Sequence, residues 1–306
     1  MGFTSGAKTL PDLVDDIADG LIASSAYWED GDTTWDTTDR SVGANNARRC
    51  LKYTGDSADI WVALTVVNIS NASVDWTGAY HRYAKGLSIV FSSSWDSVDH
   101  TYGTTNTHTY IPFERRSANN GSISADLGTL QLTYYLWIDP TGFVMMAKPE
   151  PSATEDLQTS FIVVLEHMDI KEYSDGLTNF YCYQCENYTG YTDDDSTDVY
   201  RPYKMIRPFV YENYDGNGIE FYKDSWYAFK STGNGKVYYM KPLIYNDAAE
   251  TMPIYQSKLF FMFSSAVGLV DGDVVAVDGE TTKYLCKSLD SPDKTEIINY
   301  AMKYVA

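Results

Sequence analysis

A turn between two apolar runs constrains the fold of this chain more than any other feature. Leu130–Ile138 and Phe143–Ala147 are rich in aromatic and aliphatic residues, and Asp139–Gly142, with the sequence Asp-Pro-Thr-Gly, separates them. These four residues favour a tight turn because Pro sets φ near about −65° and Gly tolerates positive φ. We therefore predict a β-hairpin.

Strand-like runs recur along the rest of the chain. They are alternating or continuously apolar, and Gly, Asn and Asp bound them, which is typical of strands joined by turns. The aromatic content of 15%, with 26 Tyr, also favours strands and contact surfaces. The further predicted strands are Arg49–Tyr53, Asp59–Asn68, Leu87–Phe91, Phe161–Leu165, Phe209–Glu212, Ile219–Tyr222, Trp226–Phe229, Lys236–Tyr239, Leu259–Phe263 and Val274–Val277.

Two helices are predicted, one near each end of the chain. Thr9 caps the first, which lies either on a sheet or against a partner subunit. Its apolar stripe consists of Leu10, Leu13, Val14, Ile17 and Leu21. Ser291 caps the second, Pro292 takes its first position, and its buried side is Ile297, Ile298 and Met302. The predicted fold class is α+β, dominated by antiparallel, sandwich-like sheet.

The chain divides into three predicted parts. Residues 1–172 form a β-rich domain with the leading helix, and residues 201–306 form a second β-rich region with the terminal helix. Residues 173–200 form an acidic, Tyr-rich connection, and we interpret Ser174–Asp198 as exposed, with aromatic anchors.

The charge balance excludes two classes of partner. A formal charge of −19 repels nucleic-acid phosphates and anionic lipid, so we expect no direct nucleic-acid binding.

The apolar runs are shorter than the roughly 20 residues of a membrane span, so we expect no membrane insertion. Met1–Lys8 has no signal-peptide pattern, and we expect no Sec export.

The candidate chemical motifs are weak. Cys182 and Cys185 form a CxxC, but a closed zinc site needs four ligands, so ordinary thiols are favoured over zinc. Asp193–Asp198 is a solvated acidic loop or a calcium site, although it lacks the spaced calcium-loop pattern. Gly216–Gly218 and Gly233–Lys236 fit hairpin turns better than nucleotide loops, because neither opens a helix.

The histidines also define no catalytic motif. They are His81, His100, His108 and His167, and no HExxH, HxH or GxSxG pattern occurs. We interpret Glu166 and His167 as a polar pair at a strand end. These motifs therefore identify no catalytic, cofactor-binding or metal-binding residue, and we expect no cofactor.

Two stretches carry a resemblance to a known group of proteins. The first joins the N-terminal helix to Cys50–Asp56 (Cys-Leu-Lys-Tyr-Thr-Gly-Asp) and Asp59–Leu64 (Asp-Ile-Trp-Val-Ala-Leu). The second runs from Tyr134–Lys148 to Thr159–Glu166. Together they resemble virion structural proteins of tailed bacteriophages, over about residues 5 to 170, with no counterpart after about residue 172.

The resemblance implies a tail, baseplate or collar component of a virus particle. Such a protein acts without catalysis, contacts copies of itself and other virion proteins, and is assembled into the virion in the host cytoplasm. Two alternatives stay open. One is a host-facing β-rich module that binds or cleaves glycans, since aromatic stacking sites leave no spacing signature. The other is a cellular extracellular β-rich binding protein.

Overall fold

The chain folds almost entirely into antiparallel sheet. The computed structural model describes residues 2–37, 47–68, 85–103, 106–114, 126–149, 161–169, 179–186, 203–206, 239–241, 243–245, 253–263, 269–277, 279–289 and 298–305. These ranges contain one α-helix and twenty strands, and all their strand pairs are antiparallel. The predicted predominance of antiparallel β-structure is confirmed.

A six-stranded sheet, which we call the central sheet, organises the molecule. Its strand order is β1-β9-β10-β11-β12-β13. In chain order its strands are β1 (Gly2–Lys8), β9 (Leu132–Asp139), β10 (Gly142–Pro149), β11 (Phe161–His167), β12 (Phe180–Glu186) and β13 (Tyr203–Ile206).

Two five-stranded sheets accompany it. The helix-side sheet has the order β2-β3-β4-β5-β8, with β2 (Trp28–Asp30), β3 (Arg48–Tyr53), β4 (Ile60–Val67), β5 (Lys85–Ser92) and β8 (Asn106–Glu114). The C-terminal sheet has the order β14-β17-β20-β19-β18, with β14 (Tyr239–Met240), β17 (Phe260–Phe263), β18 (Val274–Ala276), β19 (Lys283–Leu289) and β20 (Ile298–Tyr304). Two ribbons complete the set: β6 (Trp95–Asp96) with β7 (Thr101–Tyr102), and β15 (Leu243–Tyr245) with β16 (Pro253–Gln256).

At β11 the central sheet is buried on both faces. All seven residues of β11 are buried, and their side chains alternate between two cores. Phe161, Val163 and Leu165 join the core shared with the helix and the helix-side sheet. Ile162 and Val164 join the core shared with the C-terminal sheet. A continuous apolar strand is therefore needed here, because neither face meets water.

The N-terminal helix, α1 (Leu10–Ser24), lies on the central and helix-side sheets as predicted. Thr9 is its N-cap, and the Thr9 hydroxyl accepts a hydrogen bond from the Asp12 main-chain N–H at 3.4 Å. The predicted stripe is buried in the first core: Leu10, Leu13, Val14, Ile17 and Leu21.

The predicted hairpin is confirmed as β9 and β10, with Gly142 paired to Asp139 at the turn. The Asp139 carboxylate accepts a hydrogen bond from the Thr141 main-chain N–H at 2.9 Å. Gly142 has φ +152°, and a Cβ there would lie 1.9 Å from the Leu165 carbonyl oxygen. Glycine is required because the neighbouring strand β11 passes too close for a side chain.

The predicted C-terminal helix is wrong for residues 298–304, which form β20 between β17 and β19. Positions 298 and 302 are four apart, and that separation keeps two residues on one face of a helix and of a strand alike. Tyr300 and Met302 join the second core, while Ala301 faces the opposite side of the sheet. Residues 291–297 lie outside the described ranges.

The section interpreted as an exposed connection contains β12, which pairs with β11 and β13. Tyr181 and Tyr183 are fully buried in the second core, so this part of Ser174–Asp198 is a sheet interior. The sequence predicted exposure here because the segment is polar and rich in tyrosine. Tyrosine can nevertheless be buried when its hydroxyl forms a hydrogen bond. The domain division at residues 172 and 200 stays a prediction.

Most other predicted strands are confirmed with shifts of one or two residues at their ends. The exceptions are the predicted strands between residues 209 and 238, which lie outside the described part of the chain. Four tyrosines are packed inside the hydrophobic core of the single chain. They are Tyr181, Tyr183, Tyr284 and Tyr300, and all are fully buried. The expectation that the aromatic residues also form contact surfaces stays a prediction.

Candidate functional site

Asp32 gathers aromatic and polar groups from two segments distant in sequence. It lies after β2, and its carboxylate is buried. One oxygen accepts hydrogen bonds from the Thr34 main-chain N–H at 3.1 Å, the Thr34 hydroxyl at 2.7 Å and the Trp35 main-chain N–H at 3.1 Å. The other accepts from Trp95 Nε1 at 2.7 Å and lies 2.8 Å from His100 Nδ1. One carboxylate thus fixes the 31–37 loop against the β6–β7 ribbon.

These hydrogen bonds govern the ionisation of Asp32. Burial raises the pKa of the carboxyl group, but the bonds from Thr34, Trp95 and His100 outweigh it. The net result is a pKa well below the ordinary value. Asp32 is therefore a permanent carboxylate at neutral pH.

Two half-buried tryptophans lie beside this carboxylate. The Trp35 and Trp95 ring centroids are 5.1 Å apart at an interplanar angle of 70°, an edge-to-face pair. The Arg48 guanidinium lies 4.9 Å from the Trp35 ring centroid, and Arg48 Nε donates a hydrogen bond to the Trp35 carbonyl at 2.7 Å. The site therefore presents fixed indole surface next to a cation.

His100 completes the site with a partly exposed imidazole, its side chain 34% accessible. Its backbone has φ +54°, a left-handed conformation that is uncommon outside glycine. Nδ1 carries the hydrogen in the contact with Asp32, because an ionised carboxylate only accepts. Nε2 of the neutral ring is then an acceptor. In the described ranges, Asp32 is the hydrogen-bonding partner of the ring. We call Asp32, Trp35, Arg48, Trp95 and His100 the indole site.

A second polar cluster lies next to the indole site and is centred on Arg49. Its guanidinium joins α1, β2 and the 31–37 loop through four carboxylates: Asp15 at 3.6 Å, Asp19 at 2.9 Å, Asp30 at 3.0 Å and Asp36 at 3.5 Å. Burial raises the pKa of Asp36 to about 6, although the Cys50 main-chain N–H and Arg49 oppose the rise. This cluster neutralises part of the acidic face of the helix.

A third cluster surrounds Glu166 at the end of β11, where the side chain is fully buried. Its carboxylate accepts hydrogen bonds from the Tyr181 hydroxyl, the Tyr255 hydroxyl at 2.7 Å, the Ser257 hydroxyl at 2.8 Å and the Lys258 main-chain N–H at 2.9 Å. Burial raises the pKa of Glu166 against the effect of these four donors. The donors satisfy the carboxylate and tie the 255–258 segment to the central sheet.

His167 points to the opposite face from Glu166, because neighbouring side chains alternate in a strand. Its Nε2 lies 3.0 Å from an Asp56 carboxylate oxygen, and its ring lies 4.7 Å from the Tyr53 ring. Its Nδ1 accepts a hydrogen bond from the Asp169 main-chain N–H at 3.3 Å, so the Nε2 hydrogen is donated to Asp56. The polar pair predicted at this strand end is therefore split between the two faces of the central sheet. Glu166 binds the 255–258 segment on one face, and His167 contacts Tyr53 and Asp56 on the other.

The structure places the remaining sequence candidates as follows. Cys182 is buried in the first core, and both Cys182 and Cys185 belong to β12. The parts of the chain that the structure describes contain no group of three or more His, Cys, Asp or Glu side chains able to hold a metal ion. The backbone of His108 lies in β8. The candidates outside the described residues are His81, Asp193–Asp198, Gly216–Gly218 and Gly233–Lys236.

Sequence analysis did not bring the indole site together. Asp32 and His100 are 68 positions apart, and nothing in the sequence pairs them. The local signal that could have found Asp32 is the run Asp32-Thr33-Thr34-Trp35, since an Asp accepting bonds from residues two and three positions on is a common turn. Only the packing of the β6–β7 ribbon supplies Trp95 and His100.

The comparisons with known proteins assign no family to the chain. No protein-family model, curated protein or solved structure matches it. Among the helices that the structure describes, none has both the length and the apolar character needed to cross a membrane.

Proposed function

We propose that the chain is a non-enzymatic structural subunit that acts through repeated contacts with copies of itself and with other virion proteins. The tail, baseplate or collar of a tailed virus particle, assembled in the host cytoplasm, is the setting we propose. The observation that carries the proposal is a pair of strand edges, β1 of the central sheet and β18 of the C-terminal sheet, that pair with no further strand among those the structure describes.

Both edges are accessible. In β1 the four residues from Thr4 to Ala7 are exposed. In β18 the edge is apolar: Val274 is 46% exposed, and nearby Val270 is 62% exposed. Unpaired strand edges are templates for pairing with another chain, and exposed apolar residues add to the attraction. Two such edges allow one subunit to contact more than one neighbour.

The layers are fastened to one another, which suits a subunit that holds a fixed shape in an assembly. Lys303 of β20 binds Asp139 of the central hairpin at 2.9 Å, and the hydroxyls of Tyr183 and Tyr300 lie 2.6 Å apart between the same two sheets. On the other side, Trp28 Nε1 donates a hydrogen bond to the Pro140 carbonyl at 3.1 Å. Each contact joins the central sheet to a neighbouring layer.

Light scattering after size-exclusion chromatography, followed by imaging of the assembly, tests the proposal. We expect one defined oligomer whose contacts each bury more than about 1,000 Å². A second measurement is mass spectrometry of purified virus particles, in which we expect the chain among the particle proteins. A chain that stays monomeric with and without virion proteins contradicts the proposal.

The second candidate function is a host-facing glycan-binding or glycan-cleaving module, and the indole site favours it. Trp35 and Trp95 offer aromatic surface of the kind on which sugar rings stack, and Arg48 and the His100 Nε2 offer hydrogen bonds to hydroxyls. A glycan array with the wild-type chain, W35A and W35F tests it. We expect W35A to lose a signal that W35F largely keeps.

The matched control for the glycan array is W61A, because Trp61 on β4 also lies near a cation, with Lys52 Nζ 5.4 Å from its ring centroid. It lies outside the indole site, so W61A is expected to bind like the wild type. No array signal from the wild type, together with no cleavage of polysaccharides, removes this second candidate.

A further inference from the structure

We infer that β1 pairs antiparallel with β1 of a second copy of this chain, so that two central sheets join edge to edge into one. The inference rests on the proposed function and names the surface through which two subunits meet. It follows from the accessibility, composition and symmetry of this strand.

The outer edge of β1 is open along most of its length. The strand pairs with β9 over seven residues, from Gly2 opposite Ile138 to Lys8 opposite Leu132. In the described part of the chain, β9 is its hydrogen-bonded neighbour in the sheet. Gly6 is among the exposed residues, and a glycine has only backbone to expose. Backbone N–H and C=O groups on this edge are thus accessible to another strand.

The composition of β1 lacks the devices that normally block pairing. Gly2 to Ala7 contain no charged residue and no Pro. The charged residue of the strand, Lys8, forms an ion pair with Asp16 of α1 at 2.5 Å. By contrast, the edge strand β2 ends in exposed Glu29 and Asp30, and such charges discourage strand addition. Of these two edges, β1 is the one suited to a partner strand.

The symmetry of the strand favours a second copy as the occupant. A two-fold axis between two antiparallel strands places one residue opposite its own copy. Pairing over all seven residues puts Ser5 opposite Ser5, Thr4 opposite Gly6 and Lys8 opposite Gly2. No like charges then face each other within the ladder, although the whole chain carries −19. The paired strands span about 24 Å at about 3.4 Å per residue.

The faces of the strand leave room for this pairing. Phe3 is held against its own subunit, where its ring makes an edge contact with Tyr304 at 4.8 Å between centroids. Thr4 and Ser5 are small and polar, and they are exposed on opposite faces of the sheet. A second strand can therefore approach without displacing a large side chain.

Substitution of Ser5 tests the inference. S5K places two lysines opposite each other at the centre of the pair, and we expect the apparent association constant to fall about tenfold. T33K is the matched control, because Thr33 is exposed and lies outside β1. Sedimentation velocity over a concentration series measures both variants. Circular dichroism checks that each is folded.

Two positive measurements accompany the charge test. S5C is expected to give a disulfide-linked dimer under mild oxidation, whereas T33C is expected to stay unlinked. Amide hydrogen exchange of residues 2–8 is expected to slow at concentrations where the wild type associates, and S5K is expected to abolish that slowing.

The outcomes separate this inference from the proposed function. If the wild type assembles but S5K behaves like T33K, S5C does not cross-link and residues 2–8 exchange at the same rate at all concentrations, the β1 pairing is wrong and the subunit function stands. If the wild type stays monomeric alone and with virion proteins, both fall. Capture of a strand from a different protein on β1, without self-association, overturns the second copy as the occupant.

Discussion

The Tyr255 hydroxyl donates a hydrogen bond of 2.7 Å to the carboxylate of Glu166, across 89 positions of sequence. Glu166 belongs to the central sheet, and Tyr255 lies in β16, just before the strand that enters the C-terminal sheet. With the Ser257 hydroxyl and the Lys258 N–H on the same carboxylate, one buried side chain anchors the start of β17 to the central sheet.

Replacing Glu166 with Gln is expected to lower the free energy of unfolding by about 2–4 kcal/mol. The amide keeps one acceptor but turns an NH₂ group toward donors that need an acceptor, so at least one buried donor loses its partner. Urea denaturation measures the change. E29Q is the control, because Glu29 is exposed and its ion pair with Lys52 is worth little, so about 0.5 kcal/mol or less is expected. Equal stability of E166Q and E29Q contradicts the prediction.

Asp36 is expected to make the protein less stable as the pH rises from about 4 to about 6. Burial holds the folded-state pKa at about 6, above the ordinary value of 3.8, so the folded state binds more protons than the unfolded state in this window. The free energy of unfolding then falls with rising pH, by about 1–3 kcal/mol from this group. Urea denaturation at several pH values measures it.

The variant D36N isolates that contribution, because it cannot titrate and should flatten the curve between pH 4 and pH 6. The Asp139 carboxylate changes the stability in the opposite direction with pH. Burial raises its pKa, but hydrogen bonds from Thr141 and Lys303 outweigh burial, so the net pKa lies below the ordinary value. The stabilisation from Asp139 is therefore lost as the pH falls below about 4. D99N, at an exposed carboxylate, serves as control. An unchanged slope in D36N refutes the assignment.

Replacing Asp32 with Asn is expected to cost about 2–4 kcal/mol at neutral pH, because an amide has only one acceptor oxygen. That oxygen can serve either Trp95 Nε1 and His100 Nδ1 or the donors of Thr34 and Trp35, and the NH₂ group then faces the other set. The Asp32 pKa lies below its ordinary value, so the stabilisation is present above about pH 4 and fades as the pH falls further. Urea denaturation measures the cost, and Trp fluorescence should shift to the red as the indoles gain water. D99N is again the control, and a D32N protein as stable as D99N contradicts the prediction.

Gly142→Ala is expected to destabilise the protein by about 3 kcal/mol or more. Its Cβ would meet the Leu165 carbonyl oxygen at 1.9 Å, and the residue has φ +152°. Gly272→Ala is the matched comparison, since Gly272 has φ +91° but no atom within 4 Å of an added Cβ. Backbone strain alone should cost G272A about 1 kcal/mol. Thermal and urea unfolding compare the two, and equal losses would show that the close approach of β11 is unimportant.

Local sequence predicted the elements whose partners lie close by in the chain. The cap at Thr9 and the spacing from Leu10 to Leu21 specify α1, because capping and helical periodicity act within a few residues. The Asp139–Gly142 turn specifies the hairpin for the same reason. Residues 298–304 were predicted wrongly because their spacing suits both a helix and a strand.

The acidic charge, the β-rich composition and the amphipathic N-terminal helix follow from the amino-acid sequence alone, since charge, alternation and helical spacing need no knowledge of distant contacts. The three-dimensional fold was needed to show that β12 is buried, that Glu166 contacts Tyr255 and that Asp32 contacts His100. These contacts join residues tens of positions apart. Which distant residues meet depends on how the sheets stack, and short-range patterns do not encode that stacking.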